Sequence, residues 1–422
     1  MSDHTPLASV FTPSHDPRYL DRCLETLRAQ SESDWEWVVV LNQGARWQPG
    51  EMDTRVRVVV RDELRGVGAT KQAACALARA EILVELDHDD ELRSDAIETV
   101  VGAFARRPDV VLLYSDCAQI TEDGSADTSR WDEAWGWTYR EVLVDGRAVL
   151  QVDSLEPTPH NVSYIWYAPN HVRAFRRDAY VAAGGYDPDR DVLDDQDLIC
   201  RLYQLGEVLH VQECLYLQRV HPRNTQRVAE INERIQRETL DLYDTYVQAC
   251  ALAWSQRKGL LALDLGAAHN KATGFLGVDR RDAPGVDIVA DVSKGLALPD
   301  SSVGVIRAVD FLEHVADKVT LMNEIYRLLA HGGMLLSLTP STDGRGAFQD
   351  PTHVAFYNEN SFWYFTDQSY ARFVPEITCR YQVSRLGTYF PDSWHAAHQI
   401  PYVCANLIAL KDGPRQGGLV SM

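Results

Sequence analysis

One stretch, Glu81-Ile82-Leu83-Val84-Glu85-Leu86-Asp87-His88-Asp89-Asp90, constrains the fold more than any other. It begins as an apolar run of strand length and stops abruptly in three carboxylates and an imidazole. A buried strand that ends in acids belongs to a sheet whose strand ends carry the chemistry. At an extended strand end, residues i and i+2 point to one side, so Asp87 and Asp89 are expected to present paired oxygens to one cation. Hard oxygen ligands with room left for water or phosphate suit Mg²⁺ or Mn²⁺. Such an ion stabilises a diphosphate as it leaves. The competing reading is an acidic loop capping a helix that starts near Ser94.

A chain of 422 residues is expected to hold two or three domains. Hydrophobic content of 45% with 24% charged residues is that of a globular protein, which excludes a disordered chain. A formal net charge of −20 argues against nucleic acid or an anionic membrane as partner. Residues Met1 to Pro6 show neither the basic nor the apolar region of a signal peptide, and no apolar run reaches the length of a spanning helix. The eight cysteines are scattered without a Cys-x-x-Cys pair, which predicts reduced, mostly buried thiols in a cytoplasmic protein.

Strands are expected at Leu7–Phe11, Trp35–Leu41, Val56–Val60 and Val110–Tyr114. Helices are expected at Tyr19–Gln30, Gly68–Ala80 and Ser94–Arg106. This alternation predicts a mainly parallel sheet with its site at the carboxyl ends. Asp194-Asp195-Gln196-Asp197-Leu198 follows the turn Gly184-Gly185-Tyr186-Asp187-Pro188 and opens a predicted helix reaching Leu205, where carboxylates are also favoured for helix-dipole reasons alone. Trp131, Trp135, Trp137, Tyr164, Trp166 and Tyr167 offer flat faces to a sugar acceptor, or else form local core.

Residues 7 to about 225 resemble a family 2 glycosyltransferase with the GT-A fold. The resemblance rests on Val10-Phe11-Thr12-Pro13, Asp34-Trp35-Glu36-Trp37-Val38-Val39, Gly66-Val67-Gly68-Ala69-Thr70-Lys71, Asp87-His88-Asp89-Asp90 and Asp194 to Leu198, in that order. It implies an inverting enzyme using a nucleotide-diphosphate sugar, usually a UDP-sugar, with a divalent metal, Mn²⁺ or Mg²⁺. By the resemblance, Thr12 and Pro13 line the nucleoside pocket, Lys71 helps to hold the nucleotide, and Asp87 and Asp89 serve ribose and metal. Asp195 becomes the base that takes the acceptor's proton. His221 becomes a third metal ligand, unless it is a lone surface histidine. Asn42, in Leu41-Asn42-Gln43-Gly44, stands where the family commonly has an acidic pair, and an Asn there still contacts a base edge.

After a helical connector over residues 226–258, strand and glycine turn begin again at Leu260-Leu261-Ala262-Leu263-Asp264-Leu265-Gly266, followed by Phe275-Leu276-Gly277-Val278-Asp279. Further strands are expected at Val303–Ala308 and Met334–Leu338, with a helix Ala316–Leu329 ended by Gly332-Gly333. Residues from about 259 to 412 resemble a class I S-adenosylmethionine-dependent methyltransferase, on Leu263 to Ala268, Gly277-Val278-Asp279, Ala290-Asp291-Val292 and Val309 to Val315. By that resemblance Asp264 and Gly266 flank the methionine part of S-adenosylmethionine, Asp279 the ribose and Asp291 the adenine. Two features depart from the pattern: too few residues separate the first two strands for the customary helix, and Ala267-Ala268-His269-Asn270 replaces a glycine-rich turn.

The expectation is thus an α/β chain of two Rossmann-like domains, a GT-A glycosyltransferase over 1–225 and a class I methyltransferase fold over 259–422. Its expected partners are a sugar nucleotide and a glycan or other hydroxyl-bearing acceptor. The opposing expectation is a binding scaffold made of two degenerate enzyme folds; a nucleotidylyltransferase would need a basic glycine-rich loop after the first strand, which this chain lacks.

Overall fold

Ala8–Ser14 (β1) is buried at every position, as a strand covered on both faces must be. Trp35–Leu41 (β2) pairs with it in parallel and carries Val56–Val60 (β3) on its far side. Ile82–Glu85 (β4) lies parallel on the other side of β1. Beyond these come Glu91–Leu92 (β5), Val110–Ile120 (β6), Thr138–Val144 (β7), Arg147–Asp153 (β8), Arg173–Arg176 (β9) and Glu207–Arg219 (β10). The main path runs β3-β2-β1-β4-β9-β6-β10-β5. This sheet is mixed rather than mainly parallel, because β9 is antiparallel to both β4 and β6, and β5 to β10. A hairpin, β7 with β8, adds to β6; its turn, Asp145-Gly146, has φ of 49° and 79°. Two successive positive φ values give the primed turn that matches strand twist.

Helices Leu20–Arg28 (α1), Val67–Leu77 (α2), Ala96–Arg106 (α3), Pro159–Tyr164 (α4), Arg177–Ala182 (α5), Asp194–Tyr203 (α6) and Ala229–Arg257 (α7) complete this part of the chain. α1 buries Leu20, Cys23, Leu24 and Leu27, the face its 3.6-residue period predicts. The computed structural model describes residues 4–411 apart from 132, 134, 135, 165–167, 225 and 226. It divides into two compact units between Val247 and Gln248, within α7.

The second unit has its own core around Leu263, Val278, Ile306, Ile325 and Leu335. Its strands are Leu261–Leu265 (β11), Leu276–Asp279 (β12), Ile288–Val289 (β13), Val303–Val309 (β14), Leu329–Pro340 (β15), Tyr381–Tyr389 (β16) and Tyr402–Ala409 (β17), in the order β13-β12-β11-β14-β15-β17-β16. β13 to β15 are parallel neighbours through β11, and β17 closes antiparallel on β15. Residues 266–275, between β11 and β12, contain no helix. Lys318–Leu328 (α8) ends on Leu329 in extended conformation, so Gly332-Gly333 does not cap it as expected. Both glycines lie inside β15, and Gly332, at φ 79°, bulges the strand where its register with β14 shifts. A cap and a bulge use the same positive φ, which is why the pair misleads.

All eight cysteines are buried and none is in a disulfide among the described residues. No helix among the described residues is long and apolar enough to cross a membrane.

Candidate functional site

β1, β2 and β4 are parallel, so their carboxyl ends deliver Pro13, Asn42 and Asp87 to Asp90 to one cleft of about 710 Å³. Asp195, at the start of α6, and His221, after β10, line the same cleft. The geometry at Asp87 differs from the expected strand end. β4 stops at Glu85, and Asp87 to Asp90 form a turn in which the Asp90 N–H donates to the Asp87 carbonyl at 3.3 Å.

Asp89 Oδ2 lies 2.9 Å from His221 Nε2 and accepts from Asn224 Nδ2 at 3.4 Å. Burial opposes its ionisation, but the His221 hydrogen bond and the neighbouring imidazoles hold its carboxyl below the usual range. Asp87 is a third open to the cleft, with its Oδ2 3.7 Å from His171 Nε2. Burial in this recess pushes its carboxyl up to about 7, against Lys71 and helped by Glu85 and Asp89. Asp90 accepts from the Arg219 N–H at 2.6 Å, and burial beside Asp89 and Asp87 drives it well above the ordinary value. Asp89 raises the carboxyls of both Asp87 and Asp90, a crowding of acids that a divalent cation relieves. Asp87, Asp89 and His221 also supply the oxygen and imidazole donors that Mn²⁺ accepts. The residues present therefore fit the ion, although the three have not closed to the 4.8 Å mutual spacing that Glu313, His314 and His353 show in the second unit.

Two residues expected at the nucleotide, Thr12 and Lys71, have partners within the protein. Thr12 is wholly buried: its Oγ1 donates to the Leu86 carbonyl at 2.7 Å and accepts from Trp37 Nε1 at 2.8 Å. It ties the end of β4 to β1 instead of lining the nucleoside pocket. Lys71 Nζ lies 2.6 Å from Glu85 Oε1 and 2.9 Å from Asp194 Oδ2. Burial alone would discharge this ammonium; Asp194 and Glu85 outweigh it and keep Lys71 charged. Glu85 and Asp194 share its charge at the point where it lines the cleft. Asn42 does face the cleft, its Nδ2 donating to Thr70 Oγ1 at 3.0 Å.

The same network reaches the expected base. Arg173 Nη1 lies 2.5 Å from Asp195 Oδ2 and 3.5 Å from Glu85 Oε2. Burial works against ionisation of Asp195, but Arg173 and Lys71 hold its carboxyl below the usual range, while burial raises that of Asp194. Glu85, His171 and Arg173 escaped the sequence reading. Glu85 carried a signal, since a carboxylate within an apolar run must find a cationic partner. Gly66 and Gly68 earn their place by contact: a Cβ on Gly68 would stand 2.2 Å from the Asp187 carbonyl, and one on Gly66 2.1 Å from Asp191 Oδ1. The start of α2 thus packs directly on the loop that leads into α6.

The aromatic stretch becomes core wherever it is described. Trp137 is buried and meets Trp131 edge-on at 4.8 Å, and Tyr164 packs on His160 and Tyr243. Trp135, Trp166 and Tyr167 lie outside the described residues.

In the second unit, Asp264 is buried, accepting from Arg307 Nη1 at 3.0 Å and from the Ala272 N–H at 2.8 Å. Gly266 has φ 72°, and a Cβ there would stand 2.8 Å from the Phe311 ring. Asp279 ends β12 with one oxygen on the Arg281 N–H, leaving the other without a donor among the described residues. Asp291 caps the turn at Val292–Lys294 through Ser293, whose hydrogen bonds keep its carboxyl low.

Sheet order and cleft define a nucleotide-sugar transferase fold of the GT-A type, followed by a Rossmann-like methyltransferase fold. The model of the glycosyl transferase family 2 matches residues 9–149, and that of a methyltransferase domain matches residues 255–337. The chain is a family 2 glycosyltransferase domain joined to a class I methyltransferase-like domain. Among curated relatives, hyaluronan synthase of Pasteurella multocida is 22% identical over 231 residues, covering 53% of this chain and 21% of that protein. The O-antigen biosynthesis protein RfbC of Myxococcus xanthus is 25% identical over 221 residues, covering 50% of this chain and 16% of its own length. The chain thus spans under a third of the curated relatives it matches first. A solved structure of S. aureus TarS 1-349 in complex with UDP-GlcNAc aligns at 13% identity and a TM-score of 0.42, covering 60% of this chain and 71% of that one.

Proposed function

We propose that the first domain is a metal-dependent inverting glycosyltransferase that moves a sugar from a UDP-sugar to a hydroxyl of a glycan. The observation that supports it is the meeting of Asp87, Asp89, His221 and Asp195 in one cleft at the carboxyl ends of parallel strands. Asp195, kept ionised by Arg173, accepts the proton of the acceptor hydroxyl. The hydroxyl oxygen forms its bond to the anomeric carbon as the bond to the diphosphate breaks, and the nucleoside diphosphate leaves with the electron pair. Asp87, Asp89 and His221 would hold Mn²⁺ or Mg²⁺, which neutralises charge on the leaving diphosphate when bound. Arg65 and Arg223, exposed at the cleft, add positive charge for the same phosphates. The UDP-sugar donor is the class the family resemblance implies, with Asn42 at the base. Relatives named hyaluronan and chondroitin synthases support a glycan as acceptor.

Metal removal tests this reading. Dialysis against a chelator is expected to stop slow hydrolysis of the sugar nucleotide, and Mn²⁺ to restore it; Asp89→Asn should not be rescued at the same Mn²⁺ concentration. Full hydrolysis in excess chelator rules the ion out.

The second domain, on this proposal, binds S-adenosylmethionine and methylates the same glycan or product. Asp279 supports it, with a carboxylate oxygen left for a ribose hydroxyl at the end of β12. Charge-assisted bonds to both hydroxyls are worth roughly 1.5–3 kcal/mol. Asp279→Ala should therefore weaken binding by about 10- to 150-fold in calorimetry on the full chain. The Asp264–Arg307 pair and the helix-free turn favour a second reading, a scaffold domain without cofactor. Absence of any heat with millimolar S-adenosylmethionine or its demethylated product would establish that reading.

A further inference from the structure

We propose that Glu313, His314 and His353 form a binding site for a divalent transition-metal ion in the second unit, separate from the ion of the glycosyltransferase cleft. Glu313 and His314 follow β14 on the single turn Leu312–His314, and His353 follows β15. These are neighbouring parallel strands, so both segments emerge at the same edge of the sheet. One ligand atom from each of the three side chains lies within 4.8 Å of the others.

The independent sign of a ligand is the Glu313 carboxylate. The residue is 2% exposed, and its Oε2 accepts from Thr339 Oγ1. Its Oε1 is buried with no hydrogen-bond partner among the described residues and faces His353 Nε2 at 4.0 Å. A buried carboxylate oxygen left without a donor is costly. His353 is turned for coordination. Its Nδ1 lies 2.9 Å from the Ala347 carbonyl, so that nitrogen carries the proton and Nε2 keeps the lone pair. Metal-binding histidines are typically oriented in this way by a backbone carbonyl. The Glu313 carbonyl in turn accepts from the N–H groups of Val354 and Ala355, which fixes the His353 loop against the Glu313 turn.

Donors held at about 2.1 Å by a tetrahedral ion lie roughly 3.4 Å from one another. Closing spacings of up to 4.8 Å to that value needs relative side-chain shifts of up to about 1.4 Å, and Asp350 Oδ2, 4.0 Å from His353 Nε2, is a further donor within reach. Two imidazoles and one carboxylate select Zn²⁺, Fe²⁺ or Co²⁺ over Mg²⁺ or Ca²⁺. Three protein ligands leave a position for a water or a substrate hydroxyl. The site gives a role to Asp350-Pro351-Thr352-His353, a polar stretch that follows β15 and that glycosyl transfer does not use.

Co²⁺ is the probe, because its visible absorption reports nitrogen ligands and low coordination number. The full chain is stripped with chelator and carries Asp89→Asn to silence the first site. It is expected to bind one equivalent of Co²⁺ with an intense visible band. Adding Glu313→Gln or His314→Ala should weaken that binding on the order of 100-fold or more and abolish the band. His314 is half-buried, so its variant keeps the fold even if the buried Glu313→Gln does not; melting curves distinguish the two. The site does not exist if the Asp89→Asn chain binds no Co²⁺, or if folded His314→Ala binds it as tightly as its parent.

Discussion

Asp195→Asn is expected to lower glycosyl transfer by on the order of 10²-fold or more while leaving donor affinity nearly unchanged. The asparagine keeps the shape and one acceptor oxygen for Arg173, which lies 2.5 Å from the present carboxylate. It cannot take up the acceptor's proton. Steady-state kinetics should show the loss in kcat, with the KM for donor held, because the base faces the acceptor hydroxyl. Arg173 is itself buried and keeps Glu85 as its remaining partner, so a melting curve belongs beside the rate. A variant with normal turnover and weakened donor binding would falsify the assignment and make Asp195 a structural acid.

Lys71→Met is expected to act on stability instead. The substitution removes the cation that lies between Glu85 and Asp194, all three of them buried. Removing one member of a buried ion pair costs about 3–5 kcal/mol, since an uncompensated charge is left behind. The lower end applies here, because Asp194 already has a carboxyl pushed up by burial and can take a proton. Arg173 also remains beside Glu85. For a unit of this size the melting temperature should drop by roughly 10 °C. Calorimetric unfolding with and without donor separates the two roles. An unchanged melting temperature with lost donor affinity would return Lys71 to the nucleotide.

The first three strands were legible because they are mainly apolar runs bounded by turn residues, and β2 and β3 occupy the predicted spans. Direction was not legible. An antiparallel strand such as β9 carries the same apolar signature as a parallel one, and only its pairing with β4 and β6 shows the sheet to be mixed. The β7–β8 hairpin did announce itself: Asp145-Gly146 between alternating apolar residues is a strong two-residue turn signal, and it passed unread within a stretch judged only as aromatic.

The site divides in the same way. Pro13, Asn42 and Asp87 to Asp90 could be placed from sequence because the ends of parallel strands converge whatever the side-chain packing. Lys71 and Thr12 could not be placed, since their partners, Glu85, Asp194, Leu86 and Trp37, are set by packing across the sheet. The Glu85 carboxylate inside an apolar strand was the one available warning that a cation nearby was already committed.

The contact of Gly66 and Gly68 with Asp187 to Asp191 leaves no slack between α2 and the segment that leads to Asp195. Close-packed surfaces without a side chain between them move as one piece. On the proposed reading, Asp195 at the start of α6 therefore keeps a fixed distance from α2, and the two walls of the cleft shift together. Grafting the 187–195 segment from another transferase to change acceptor preference should fail unless residues 66–77 travel with it, because the inherited spacing belongs to the pair.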